Sequence, residues 1–234
     1  MRTHTTLVLA ALLTVLLAGA SATTSQGEDM TSGLHWLGHD TFRIDAAQIV
    51  YIDPFRLAEG APAADLILIT HAHSDHLSPA DIARIRTPTT TVIAPRSVAD
   101  KLPGTVVIAP GETVTAGAVV VRAVPAYNTD KPFHPKSAGN VGYLITVAAR
   151  TIYHAGDTDL IPEMDNLAPD IALLPVSGTY VMTADQAADA ARRIKPKVAV
   201  PMHYGTIVGA DADAKQFAKL LEGSGITVVI LPRE

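Results

Sequence analysis

The chain of 234 residues contains no cysteine. Disulfides, thiolate ligands and thiol nucleophiles are therefore excluded, and any metal must be held by histidine and carboxylate. Charge is also scarce: Asp, Glu, Lys and Arg make up 18% of the chain against 48% apolar residues, an ordinary globular α/β balance on the low-charge side. Basic residues are the rarer sign, 18 against 23 acidic, for a net charge of −5. That argues against generic nucleic-acid binding, which usually shows a basic face, while leaving room for a small anion pocket. The N-terminal apolar run, Leu7–Leu17 with Thr14 inside it, falls short of the roughly 20 residues that span a bilayer.

That run reads as part of a processing signal. Arg2 and His4 precede it and Ala18-Gly19-Ala20 follows with small side chains, the three-part pattern of a secretory signal peptide. Residues 1–20 are expected to be cleaved, giving an exported protein, periplasmic or secreted, with no stable membrane span. No cysteine follows the run, which excludes a lipid anchor of the bacterial lipoprotein kind. Cleavage leaves 17 basic and 23 acidic side chains. Residues 21–32 read as a flexible leader, and 33–234 as one domain with an ample core.

The chemistry gathers at Leu66–Leu77. An apolar strand-like run, Leu66–Thr70, ends in His71-Ala-His73-Ser-Asp75-His76, three imidazoles and a carboxylate within six residues. These donors suit zinc and its first-row neighbours. Alternation on an extended segment points His71 and His73 the same way, and a bend before Asp75 and His76 lets those two face a second ion. The spacing reads as half of a two-metal site.

His71-x-His73-x-Asp75-His76 resembles the metal motif of the metallo-β-lactamase superfamily. Trp36-Leu-Gly-His-Asp-Thr-Phe42, Tyr51-Ile-Asp-Pro-Phe55, Ile152-Tyr-His-Ala-Gly-Asp-Thr158 and Val200-Pro-Met-His-Tyr-Gly205 extend the likeness over about residues 33–232. They are similar to the small, single-domain hydrolase branch with ascorbate-phosphate lactonase-like and phospholipase D-like members. The resemblance implies an α/β (α+β) fold, a four-layer αββα sandwich with a dinuclear site at one edge. It further implies that Asp157 bridges the ions, that Asp53 accepts a hydrogen bond from a ligand imidazole, and that His39 lies nearby. One departure from the family pattern stands out. Relatives often place a ligand histidine just after the strand that here ends at Val124-Pro125-Ala126, where this chain has Tyr127-Asn128; His134 is the nearest substitute.

Local patterns agree. Thr41–Ile44 and Gln48–Ile52 read as a hairpin feeding Asp53-Pro54, with Asp53 biased toward extended backbone by the proline. Ser78-Pro79 starts a helix, and a capping box at Thr183 and Gln186 starts another. Thr91–Ala94 and Thr105–Ile108 flank the short helix Arg96–Leu102, giving parallel crossovers. Thr113–Val124, Val141–Val147 and Thr151–Tyr153 suggest an antiparallel meander, and Lys197–Met202 a strand that delivers His203. The long loop Pro125–Asn140 carries Lys131, His134 and Lys136.

The resulting assignment places His71, His73 and His134 on one divalent cation, Asp75, His76 and His203 on the other, and Asp157 between them. Asp75 and Asp157 are the catalytic carboxylates. Asp53, His39, His154 and Tyr204 back the ligands or face substrate. Zinc is the expected metal, with manganese and iron as alternatives. The implied reaction is hydrolysis of an ester, lactone or phosphodiester in a small-molecule substrate, anionic ones included, with Lys131 and Lys136 as the anion-holding candidates; β-lactams fit less well. The rival readings are an exported metal-binding protein, a catalytically silent member of the same fold, and a diiron redox protein. Diiron relatives carry an acidic residue where His73 stands and need a flavin partner domain.

Overall fold

Side chains alternate along the strands, and here both faces of each central strand are apolar. In the computed structural model, which describes residues 30–234, this alternation divides the core in two. Leu66 and Leu68 of β4 (Leu66–Leu68) enter the main core, while Ile67 and the following Ile69 enter a second one. Val50 and Ile52 of β3 (Ile49–Ile52) and Ile93 of β5 (Thr91–Ala94) join the first; Tyr51, Val92 and Ala94 join the second. A strand covered on both faces is the continuous apolar run that the sequence displays.

The main core lies between two sheets. The first has the order β1-β2-β3-β4-β5-β6, with β1 (Leu34–Gly38) and β2 (Thr41–Asp45) antiparallel and β3 to β6 (Val106–Val107) parallel. The second runs β13-β12-β11-β10-β9-β8-β7. In it β7 (Thr113–Ala116), β8 (Val119–Pro125), β9 (Val141–Val147) and β10 (Arg150–His154) form an antiparallel meander. Next to it β11 (Ile171–Pro175), β12 (Val198–Met202) and β13 (Thr227–Val228) lie parallel to β10.

Helices cover the outer faces. Ile82 and Ile85 of α1 (Pro79–Ile85) and Val98 of α2 (Arg96–Ala99) seal the second core. On the other side α3 (Ala184–Ile194) lays Ala187, Ala190, Ala191 and Ile194 against the second sheet, and α4 (Asp211–Leu220) adds Ala214 and Phe217. The caps form as the sequence suggests: Ser78 accepts from Asp81 N, and Thr183 and Gln186 make a reciprocal box. Replacing such a cap with alanine typically costs about 1 kcal/mol. Four layers result, as the αββα expectation requires.

Some local expectations differ. Residues 34–38, read only as part of a motif, form the edge strand β1. Asp53 adopts a left-handed φ of +44°, not the extended backbone that Pro54 favours. Its carboxylate accepts from Thr70 N at 2.7 Å and Thr70 Oγ1 at 2.6 Å, and those bonds outweigh the local preference. The same interaction ends β4, because Thr70 N turns from the sheet to Asp53. The signal peptide expected at 1–20 lies outside the described residues, as does most of the leader. Among the described residues no helix is long and apolar enough to cross a membrane.

Candidate metal centre

Parallel strands bring their C-terminal ends to one edge, where α/β sheets bind ligands. β3 delivers Asp53, β4 the 71–76 segment, β10 Asp157 and β12 His203. The β1–β2 turn adds His39 and Asp40, and the loop between β8 and β9 adds His134. Turning the chain sharply here needs unusual backbone. His39, Asp53 and His203 all take positive φ, at +51°, +44° and +60°, which costs about 1–2 kcal/mol per residue. Gly156 (φ +64°) makes the turn before Asp157, where a Cβ would meet Val141 O at 2.9 Å.

The side chains converge on two points. At the first, His73 Nδ1 lies 3.1 Å from His71 Nε2 and 3.2 Å from His134 Nε2. Asp157 Oδ2 closes the group, 3.3 Å from His134 Nε2 and 3.9 Å from His71 Nε2. At the second, Asp157 Oδ1 lies 3.4 Å from His203 Nε2 and 3.5 Å from His76 Nε2, with Asp75 Oδ2 3.8 Å from His76 Nε2. Donors bonded at about 2.0–2.1 Å to one tetrahedral ion stand about 3.4 Å apart, so the first group and the His76, Asp157 and His203 atoms of the second have the size of a coordination shell, while Asp75 is placed beside His76 and His39.

The hydrogen-bond network fixes which ring nitrogen carries a proton. His76 Nδ1 faces the Asp53 carboxylate at 2.8 Å, so it is an N–H and Nε2 is the nitrogen left to meet a cation. Thr70 Oγ1 donates to Asp53, leaving its oxygen to accept from His71 Nδ1 at 3.0 Å. His134 Nδ1 donates to Asn128 Oδ1 at 3.1 Å, while the Asn128 amide donates to Tyr180 O. Three imidazoles thus direct their Nε2 atoms into the site. Ser177 Oγ stands 2.8 Å from His203 Nδ1, in the matching place for the fourth.

These inward atoms have no protein partners of their own. His76 Nε2, His203 Nε2, Asp157 Oδ1, His39 Nδ1 and both Asp40 oxygens are buried without a hydrogen bond. Orphans of that kind are rare and call for an ion or water. Burial opposes ionisation of Asp157, yet the His203 and His76 imidazoles outweigh it and hold its carboxyl well below the usual range. Burial pulls His203 down, but Asp157 and Asp40 carry it up to about 9. His76 is likewise raised, against burial, by Asp157 and Asp53. Burial pushes Asp40 well up, with Asp157 adding to the effect. The donor set, its spacing and its unpartnered inward-facing atoms fit divalent cations.

The other expected site residues fall into distinct places. His39 Nε2 lies 3.2 Å from Asp75 Oδ2, and its ring packs 4.0 Å from that of His203. His154 is wholly buried and has no face for substrate. Its Nε2 donates to Asp40 O at 2.9 Å and its Nδ1 accepts from Gly156 N, tying the β1–β2 turn to the Asp157 turn. Tyr204 is buried and stacks on Trp36 at 4.7 Å. Lys131 is bound to Asp159 and Asp130, and Lys136 to Glu163 and the Tyr127 hydroxyl. Both expected anion-holding lysines are already paired, because their loop folds back on the β10–β11 connection. Four contributors were not singled out from sequence: Asp40, Thr70, Asn128 and Ser177. Asp40 sits inside a quoted motif and Asn128 at the departure from the family pattern; Thr70 and Ser177 carry no local signal.

Comparison with known proteins gives the family. A family model described as a β-lactamase superfamily domain matches residues 33–203. A metal-dependent hydrolase of Thermoplasma acidophilum is 37% identical over 214 residues, covering 84% of this chain and 93% of the relative. One from Pyrococcus abyssi is 34% identical over 217 residues, covering 85% and 96%. A crystal structure described as a metal-dependent hydrolase from Parabacteroides distasonis superposes with a TM-score of 0.79 at 36% identity, covering 86% of this chain and 93% of that one.

Proposed function

Because the chain belongs to the metallo-β-lactamase superfamily and is a metal-dependent hydrolase, we propose that it holds two divalent cations side by side and cleaves an ester, lactone or phosphodiester. The observation that carries this reading is the Asp157 carboxylate, whose Oδ1 faces His76 and His203 while Oδ2 faces His134 and His71. His71, His73 and His134 would hold one ion, Asp75, His76 and His203 the other, with Asp157 shared. Zinc suits the three-imidazole group, and the protein would act after export.

Such ions, when bound, polarise the scissile oxygen and bring the pKa of a water from its bulk value toward about 7. The chain's own residues do the rest. Asp53, Thr70 and Asn128 keep His76, His71 and His134 in the tautomer that offers a lone pair. Asp75 is the accessible carboxylate, its side chain 28% exposed against 4% for Asp157. Burial favours its neutral form, but the His39 hydrogen bond and the His76 charge keep it ionised. A carboxylate that meets both the cluster and solvent is placed to pass a proton between them. Help of that kind is typically worth 10²–10⁴-fold.

The test is metal analysis of purified protein together with a panel of nitrophenyl phosphodiesters and lactones. Two metals per chain with turnover supports the reading. Tight metal without turnover across the panel favours the metal-binding alternative.

A further inference from the structure

We propose that Asp40 is an additional metal ligand, giving the second position a third carboxylate beside Asp75 and Asp157. The inference rests on the dinuclear reading and adds a donor outside the seven assigned above.

Asp40 is 1% exposed, and neither carboxylate oxygen has a hydrogen-bond partner. An isolated buried carboxylate is costly unless it is paired or coordinates a cation. One Asp40 oxygen lies with a nitrogen of His76, an oxygen of Asp157 and a nitrogen of His203, all within 4.8 Å of one another. Two carboxyl groups held this close either share a proton or hold a cation between them. The neighbouring imidazoles do not supply a hydrogen bond. The nearer His76 nitrogen, Nδ1, is 3.8 Å from Asp40 Oδ2 and is already engaged by Asp53 at 2.8 Å. Supporting the His76 ring is therefore a role that Asp53 fills.

The backbone of the turn is built to hold this side chain in place. His39 O accepts from both Trp36 Nε1 and His203 N, and Asp40 O accepts from His154 Nε2. The turn is thus fastened to its own strand β1, to β10 and to the end of β12. Its effect on ligand preference follows from donor type. The first position offers three imidazoles and one carboxylate oxygen, a zinc-like set. The second gains oxygen, and a larger, more oxygen-rich set suits Mn²⁺ or Fe²⁺ better than four-coordinate zinc.

The test uses Mn²⁺ as the probe. Crystals of the wild-type protein grown with Mn²⁺ are measured at a wavelength that locates manganese by anomalous scattering. An Asp40 oxygen about 2.2 Å from the peak beside His76 and His203 supports the inference, and one beyond about 3 Å overturns it. In parallel, Asp40→Asn is titrated with Mn²⁺ by calorimetry. We expect at least about a tenfold loss of affinity for one of two equivalents, with the far-ultraviolet circular dichroism of the apoprotein unchanged. Two equivalents at wild-type affinity in Asp40→Asn would overturn it. A wild-type crystal with no peak beside His76 and His203 would instead remove the dinuclear reading itself.

Discussion

Asp53 Oδ2 accepts the His76 Nδ1 proton at 2.8 Å, with both side chains completely buried. The same carboxylate takes Thr70 N and Thr70 Oγ1, and Thr70 Oγ1 in turn accepts from His71 Nδ1. One anion therefore orients two inward-facing imidazoles on the segment that carries the metal motif. Asp53→Asn keeps the shape but brings an amide where a second acceptor is needed. We expect metal affinity to fall about 10–100-fold, with about 1–3 kcal/mol lost from the apoprotein. Calorimetric titration and denaturant unfolding check the two numbers; unchanged affinity would remove Asp53 from this role.

Asn128 does for His134 what Asp53 does for His76. Its Oδ1 accepts from both His134 N and His134 Nδ1, at 2.9 and 3.1 Å. Asn128→Ala frees the ring, so the first position should weaken by about 10–100-fold while the second is spared. Competition against a coloured chelator measures it. Equal weakening of both positions would show that His134 does not belong to the first group.

Alanine at Asp157 or at His73 removes donors without touching the apolar core. Metal-dependent turnover should vanish in each, with far-ultraviolet circular dichroism unchanged. Asp157→Ala should also cost both ions their shared ligand, while His73→Ala weakens one position. Wild-type rates in either variant would refute the assignment.

Chelation should lower thermal stability, because ions that bind only the folded chain stabilise it by mass action. At a thousandfold excess over Kd a single ion contributes about 4 kcal/mol. For a chain of this size that corresponds to roughly 8–16 °C in Tm. A melting curve indifferent to EDTA would show that the cluster is held together without metal.

The pH dependence has a definite sign. His203 in the apoprotein is raised to about 9, above its ordinary 6.5, by Asp157 and Asp40 acting against burial. A raised imidazole stabilises the folded apoprotein fully below about pH 6.5, and that contribution is lost as pH climbs through about 9. A metal must displace the same proton. Affinity should therefore rise between pH 6.5 and 9, with proton release that calorimetry in buffers of different ionisation enthalpy can count. Binding at pH 7 with no proton released would contradict the charged His203.

The residues that could grip a cation were legible because their chemistry is local. Without cysteine only imidazole and carboxylate remained, and His71, His73, Asp75 and His76 stand within six residues after a run of four apolar side chains. The unbroken apolar run along 66–69 also announced a strand buried on both faces, and the Thr183–Gln186 box announced the start of α3. Pattern and spacing report faces and turns, and those are short-range properties.

What the sequence left undecided depends on which lone pair meets which proton across long stretches of chain. His154 fastens Asp40, 114 residues away, and Tyr127 and Glu163 occupy Lys136. Asp53 abandons the backbone that Pro54 favours because Thr70 and His76 offer it three hydrogen bonds. None of these pairings has a local signature; each exists only after two sheets have packed and brought their strand ends to one edge. The sequence by itself determined the donors and the layers, and the tertiary structure decided their protonation, their partners and the place of Asp40 among them.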